Sequence, residues 1–273
     1  VQPLTVLSIA GSDSGGGAGI QADLRTFCAF EVHATTALTA VTAQNTLGVD
    51  SVLNVAPAMV SAQVRSVVAD FDVCAVKTGM LAQPATVEQV AELASEGLLP
   101  HLVVDPVLVS SSGHPLMDTG GVDAYRDALL EHAEVVTPNL REAAMLCGVD
   151  VNDVKNHDDM LALAHQLLGF GSTWVLVKGG HFAERSFTER RAPDVLVGQG
   201  EVFVFDAERV TTTNDHGTGC SLSAAICAGL ALGRSVPDAA RDAKSFVLAA
   251  LTGAADWKLG RGRGPIDHLG WDA

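Results

Sequence analysis

The chain has 273 residues, 48% of them hydrophobic and 18% charged, which is enough apolar material for one large core or two modest ones. Lys+Arg 17 against Asp+Glu 32 leave a formal charge of −15, so the surface repels nucleic acid and anionic lipid, and any anionic ligand must be caught by a local site. Five widely spaced cysteines without a CxxC pair read as reduced thiols rather than a disulfide frame or a zinc site, and no basic leader or membrane-length apolar run stands out, so a soluble, untargeted cytoplasmic protein is expected.

Taken in chain order, residues 4–10 read as a strand, followed by the turn-forming stretch 11–19 and an amphipathic helix over 20–31 whose Ile20, Leu24, Phe27 and Cys28 form one stripe. Strands are expected over 38–43, 73–77, 102–105, 134–137 and 174–178, with helices over 59–68, 86–94, 124–133 and 160–168 between them. Residues 181–193 mix charge with aromatics and lack periodicity, which predicts a mobile surface loop. Residues 195–205 read as a hairpin, and helices are expected over 220–232 and 236–252. Strands alternating with helices need crossover connections, which predicts a mostly parallel sheet covered on both faces, with the hairpin as an antiparallel edge. No linker interrupts the alternation, so residues 1–273 are expected to form a single domain.

Two glycine-rich loops carry the first functional signal. Gly11 and Gly16 have the opening spacing of a Walker loop, but Gly17 and Ala18 stand where its Lys and Ser/Thr belong. The stretch also lacks the third glycine and the distant acid of a dinucleotide fingerprint. What remains is a loop nearly free of side chains after the first strand, where backbone can approach a ligand closely. A tight turn is the alternative, although four glycines in residues 15–19 exceed what a turn needs. Asp13 beside it either caps the helix or touches ligand.

The second loop, Asn214-Asp215-His216-Gly217-Thr218-Gly219-Cys220-Ser221, opens an apolar helix. Small residues there leave unpaired N–H groups and the positive dipole end facing outward, which suits a phosphoryl group in transfer. Cys220 on the first turn is expected to have a lowered thiol pKa, or else to be an inert packing residue.

Charged residues at strand ends complete the pattern. Asp105 ends an apolar strand and reads either as a holder of a Mg²⁺ water or as a turn cap. Asn139 and Glu142, three apart, read as a Mg²⁺ oxygen pair or as a capping box, and by themselves the capping box is favoured. Lys178 precedes Gly179-Gly180, where a cation can neutralise phosphate oxygens, and Lys77-Thr78-Gly79-Met80 repeats the arrangement on another strand.

Together the segments 10–23, Thr39-Ala40-Val41-Thr42-Ala43-Gln44-Asn45-Thr46, Lys77-Thr78-Gly79-Met80-Leu81, Val104-Asp105-Pro106-Val107, Thr137-Pro138-Asn139, Val177-Lys178-Gly179-Gly180-His181 and His216-Gly217-Thr218-Gly219-Cys220 resemble the hydroxymethylpyrimidine and phosphomethylpyrimidine kinases of thiamine biosynthesis. The resemblance runs from about residue 4 to about residue 264. It implies a ribokinase-like three-layer αβα sandwich, two ATP-dependent phosphorylations at one site, Mg²⁺ and a homodimer. By the same resemblance Gln44 bonds the aminopyrimidine, and Gly11, Met80 and Val107 line its pocket. Asn139, Lys178 and Gly219 serve ATP, Asp105 and Glu142 serve the metal, and Lys178, Gly217, Gly219 and Cys220 serve catalysis. Cys220 stands where most ribokinase-like sugar kinases have an Asp base, which points to the vitamin-kinase branch. The rivals are a pyridoxal or pyridoxine kinase and, from another class, a non-catalytic pyrimidine or nucleotide sensor. A sensor would have no need of Lys178 and the Gly217-Thr218-Gly219-Cys220 loop.

Overall fold

A computed structural model describes residues 2–109, 116–180 and 191–271. Its strands are β1 (Thr5–Ser12), β2 (His33–Asn45), β3 (Gly48–Asn54), β4 (Val73–Thr78), β5 (Val103–Val104), β6 (Val135–Val136), β7 (Trp174–Val177), β8 (Asp194–Gly198) and β9 (Glu201–Phe205). They form one sheet in the order β3-β2-β1-β4-β5-β6-β7-β8-β9. The run from β2 to β7 is parallel throughout, while β3 at one edge and β8 and β9 at the other are antiparallel. β1 is buried along its length up to Ser12 because Val6, Leu7, Ile9 and Ala10 put apolar atoms on both faces, the mark of a strand covered on both sides.

The helices are α1 (Gly19–Ala29), α2 (Pro57–Val68), α3 (Pro84–Ser95), α4 (Gly121–Ala124), α5 (Leu140–Cys147), α6 (His157–Leu168), α7 (Thr218–Ala231) and α8 (Val236–Gly253). From α4 the chain continues through a π turn, Tyr125–Leu129, and a 3-10 turn, Leu130–His132. One face of the sheet packs on α1, α7 and α8 around Phe27, Trp174, Leu176 and Ile226. The other packs on α2 to α6 around Leu7, Val76, Leu93, Tyr125 and Leu146. These are the three layers of the αβα sandwich. Among the described residues no helix is long and apolar enough to cross a membrane.

Helix starts follow local chemistry. Proline occupies the first turn of α2, α3 and α8, where its missing N–H costs nothing, and α5 and α6 each begin with a capping box. α7 is buried from Ser221 to Leu230 and built of small residues, so α8 comes close: a Cβ on Gly229 would stand 2.9 Å from the Cβ of Ala239.

Most predicted elements are found within a few residues, including the hairpin as an antiparallel edge. Two were not foreseen. β3 exposes most of its residues and gives no alternation to read, and α5 has only eight residues. The loop expected over 181–193 falls mainly on residues 181–190, which lie outside those described.

Candidate active site

The chain leaves β1 for β2 on one side and later returns to β4 on the other, so strand order reverses beside β1. Ligands of open α/β sheets bind in the crevice beyond the carboxyl ends at such a switch point. Gly11 of β1 and Met80 after β4 meet there: a Cβ on Gly11 would fall 2.5 Å from Met80 Cε. The hydroxyl of Thr39 on β2 donates to the Met80 carbonyl at 2.6 Å and fixes its approach. Gln44 is half-buried at the carboxyl end of β2, and Val107, also half-buried, lies just past Asp105. All the predicted pocket residues therefore sit on the carboxyl edge, three of them, Gly11, Met80 and Gln44, around the switch point.

The charged group lies one to three strands further along. Lys178 Nζ is 2.7 Å from Asp105 Oδ1, and Thr137 Oγ1 and Ser223 Oγ each lie 3.3 Å from the same carboxylate. Backbone pairing holds these positions together, since Asp105 N–H donates to Thr78 O and Lys178 N–H donates to Pro138 O. Burial opposes the Lys178 charge, but Asp105 and Glu142 hold its pKa above the ordinary range. Glu142 itself is pushed up to about 7, by burial first, with Lys178 pulling down and Asp105 pushing up.

Asn139 and Glu142 form the capping box of α5: Asn139 N–H donates to Glu142 Oε2 at 2.8 Å and Glu142 N–H to Asn139 Oδ1 at 3.0 Å. The cap uses Asn139 Oδ1 and leaves its Nδ2 out. Among the described residues no three His, Cys, Asp or Glu are gathered closely enough to hold a metal ion by themselves. Magnesium needs fewer, because it keeps several waters and takes one or two carboxylates beside substrate phosphates. Asp105 and Glu142 fit that donor set, two buried carboxylates whose repulsion a further cation would relieve.

α7 brings its N-terminus to the same group. Gly217 caps it at φ 85°, and a Cβ there would lie 1.9 Å from the Gly17 carbonyl oxygen, so only glycine lets the two loops close on one another. A Cβ on Gly219 would stand 3.2 Å from Lys178 Nζ, which puts the ammonium against the first turn of α7. Cys220 departs from expectation. Burial pushes its thiol up to about 11, with Lys77 pulling down and Asp23 and Asp105 pushing up. Desolvation outweighs the pull of Lys77 and of the Gly19 amide, and the side chain rests as a thiol.

Lys77 also departs from its sequence reading. It is fully buried, 2.8 Å from Asp23 Oδ2, with Ser8 Oγ donating to the same oxygen at 2.5 Å. It braces β4 against α1 beneath the site instead of reaching the edge. Asp13 neither caps α1 by its side chain nor lies open to ligand: its carboxylate accepts the amides of Gly15, Gly17 and Ala18 at 2.8 to 3.0 Å and so shapes the glycine loop. Sequence reasoning assigned nothing to His216, which lies between Asp13 and Gln44, because those partners are 203 and 172 residues away in the chain. A cavity of about 400 Å³ near the C-terminal segment shares Gly15 with the loop but is lined instead by Arg25, Trp257, His268 and Trp271, among others, and by none of the charged residues above.

A family model described as phosphomethylpyrimidine kinase matches residues 13–267. The chain belongs to that family. The kinase is 48% identical over 271 residues to a hydroxymethylpyrimidine/phosphomethylpyrimidine kinase of Streptomyces coelicolor, covering 99% of this chain and 96% of the relative. Among solved structures, an ADP complex of Bacillus subtilis pyridoxal kinase matches with a TM-score of 0.87 at 34% identity, covering 99% of both chains. A phosphomethylpyrimidine kinase from Clostridium difficile matches with a TM-score of 0.79 at 35% identity over 91% of this kinase and 99% of that chain.

Proposed function

We propose that this kinase transfers the γ-phosphate of ATP to the hydroxymethyl group of 4-amino-5-hydroxymethyl-2-methylpyrimidine, and then phosphorylates the monophosphate to the diphosphate, in thiamine biosynthesis. The observation that carries this reading is the Lys178 ammonium, paired to Asp105 and set against the first turn of α7. Gly219 and Cys220 on that turn lack carbonyl partners within the helix, so a phosphoryl group arriving there meets N–H donors, the positive dipole end and a cation together.

Gln44 orients the pyrimidine between Gly11, Met80 and Val107, with its hydroxymethyl group toward α7. Lys178 and the amides of Gly217 and Gly219 take up charge on the transferring phosphate. Asn139 offers its free Nδ2 to the nucleotide. Asp105 and Glu142 would hold Mg²⁺ through water, and the ion would supply charge neutralisation at the phosphates. Cys220 first gives up its own proton to solvent and, as the thiolate, receives the hydroxyl proton late, after most of the P–O bond has changed, which a loose transition state permits. With a resting thiol, that role costs on the order of 5 kcal/mol at neutral pH, so the amides and Lys178 supply most of the acceleration. The kinase works as one domain spanning 1–273, as a homodimer in the cytoplasm.

The likeness to pyridoxal kinase favours a second reading, phosphorylation of pyridoxal. Comparison of kcat/KM for hydroxymethylpyrimidine and pyridoxal separates the two. The pyrimidine is expected to win, and a larger value for pyridoxal makes this a pyridoxal kinase.

A further inference from the structure

His216 Nε2 lies 3.0 Å from Asp13 Oδ2 and 3.2 Å from Gln44 Nε2. Asp13 is 3% exposed and already accepts three backbone amides. Burial raises its pKa, but the hydrogen bond and charge of His216 together with the Gly15 and Ala18 amides outweigh burial and hold it below the ordinary value. The carboxylate is therefore an acceptor only, and the hydrogen on His216 Nε2 points at it. A ring nitrogen that carries a hydrogen cannot accept one from an amide, so Gln44 cannot present its NH₂ to His216.

The two ends of an amide have nearly the same shape and are told apart by their partners. Turned over, Gln44 places Oε1 3.2 Å from His216 Nε2, as a second acceptor sharing the N–H that points at Asp13, and Nε2 within 3.4 Å of Thr42 Oγ1. Thr42 gives its own hydrogen to the Ser12 carbonyl at 2.8 Å and keeps a lone pair to accept. No two donors then face one another, and one Gln44 N–H is met by Thr42 Oγ1.

We propose that His216, held by Asp13, fixes which way the Gln44 amide faces and so sets the donor and acceptor that the pocket offers a ring. The inference rests on the reading of Gln44 as the pyrimidine contact. One N–H and one lone pair of Gln44 remain for the ligand, in a fixed order, and they suit a ring nitrogen beside an exocyclic amine. With the amide free to turn, the order is lost for part of the population. His216 is a positioning residue: it touches Gln44, not the reacting atoms.

The test is a double-mutant cycle read on both Michaelis constants. His216→Leu is expected to raise KM for hydroxymethylpyrimidine about tenfold or more, the usual scale for a lost buried polar contact, with KM for ATP unchanged. His216→Gln, whose amide N–H reaches the place of the ring N–H, is expected to recover most of the loss. In a Gln44→Ala background His216→Leu should then add nothing, because its effect runs through Gln44. If His216→Leu does not fold, His216→Asn, too short to reach either partner, enters the same cycle. Additive losses, or equal losses for both substrates, mean that His216 only props the glycine loop and overturn the proposal. An enzyme that releases no ADP with the pyrimidine overturns the substrate reading and this inference with it, whereas additivity in an active enzyme overturns the inference alone.

Discussion

Lys178 is the residue whose removal should cost most in the chemical step. It sits 2.7 Å from Asp105 and against Gly219, so Lys178→Ala leaves a buried carboxylate unpaired and the transferring phosphate without its cation. A loss of about 10²-fold or more in kcat is expected on the scale of other charge-stabilising groups, and turnover at the wild-type level would contradict the assignment. Gln44→Ala is expected to act on the other substrate, raising KM for the pyrimidine far more than KM for ATP; equal effects would remove Gln44 from the pocket. Cys220 makes a sharper case because its thiol is pushed up to about 11. If its thiolate takes the proton, kcat rises about tenfold per pH unit above neutrality, the dependence disappears in Cys220→Asp, and Cys220→Ser loses on the order of 10²-fold. A flat profile from pH 7 to about 9 with an active serine variant would make Cys220 a packing residue. The raised pKa was not legible in the motif alone: position on a first helical turn suggested a lowered one, and burial beside Asp23 and Asp105 reverses it.

At the scale of elements, the carboxyl edge was legible because each strand ends in an apolar run followed by a marked residue, as in Val104-Asp105 and Val177-Lys178. The edge strand β3 was not, since its exposed residues obey no burial period. The ion pair of Lys77 with Asp23 was hidden for another reason: its members are 54 residues apart and meet only once β4 and α1 are both in place. α7 is tied to the C-terminal segment by a similar long-range contact, Ser221 Oγ to His268 Nε2 at 2.8 Å. Burial, followed by the charge of Arg25, pushes His268 down from 6.5 to about 4. The unfolded chain binds a proton below about 6.5 that the folded chain refuses until about 4, so this contribution to stability is full above the first value and is lost as pH falls toward the second. Denaturant unfolding should therefore show stability falling by on the order of 2–3 kcal/mol from this group over that interval. His268→Gln should flatten the slope, and identical slopes in both proteins would show that His268 is not the group that titrates.

The whole molecule carries a formal charge of −15 yet gathers Lys178 and the N-terminus of α7 at one point on the sheet edge, which is where an anionic nucleotide can be held despite long-range repulsion. The layered architecture followed from the alternation of strand and helix in the sequence; the closing of Gly217 onto Gly17 and the Asp13–His216–Gln44 cluster required the folded chain, because each joins the loop after β1 to the N-terminal end of α7. We propose that one site phosphorylates first an alcohol and then the phosphate it has made. The most direct measurement is ADP release, coupled to product analysis, with limiting hydroxymethylpyrimidine and excess ATP and Mg²⁺. Two ADP per pyrimidine, with the monophosphate formed and then consumed, is the result this structure predicts; one ADP per pyrimidine with the monophosphate as the end product, or no ADP at all, would contradict it.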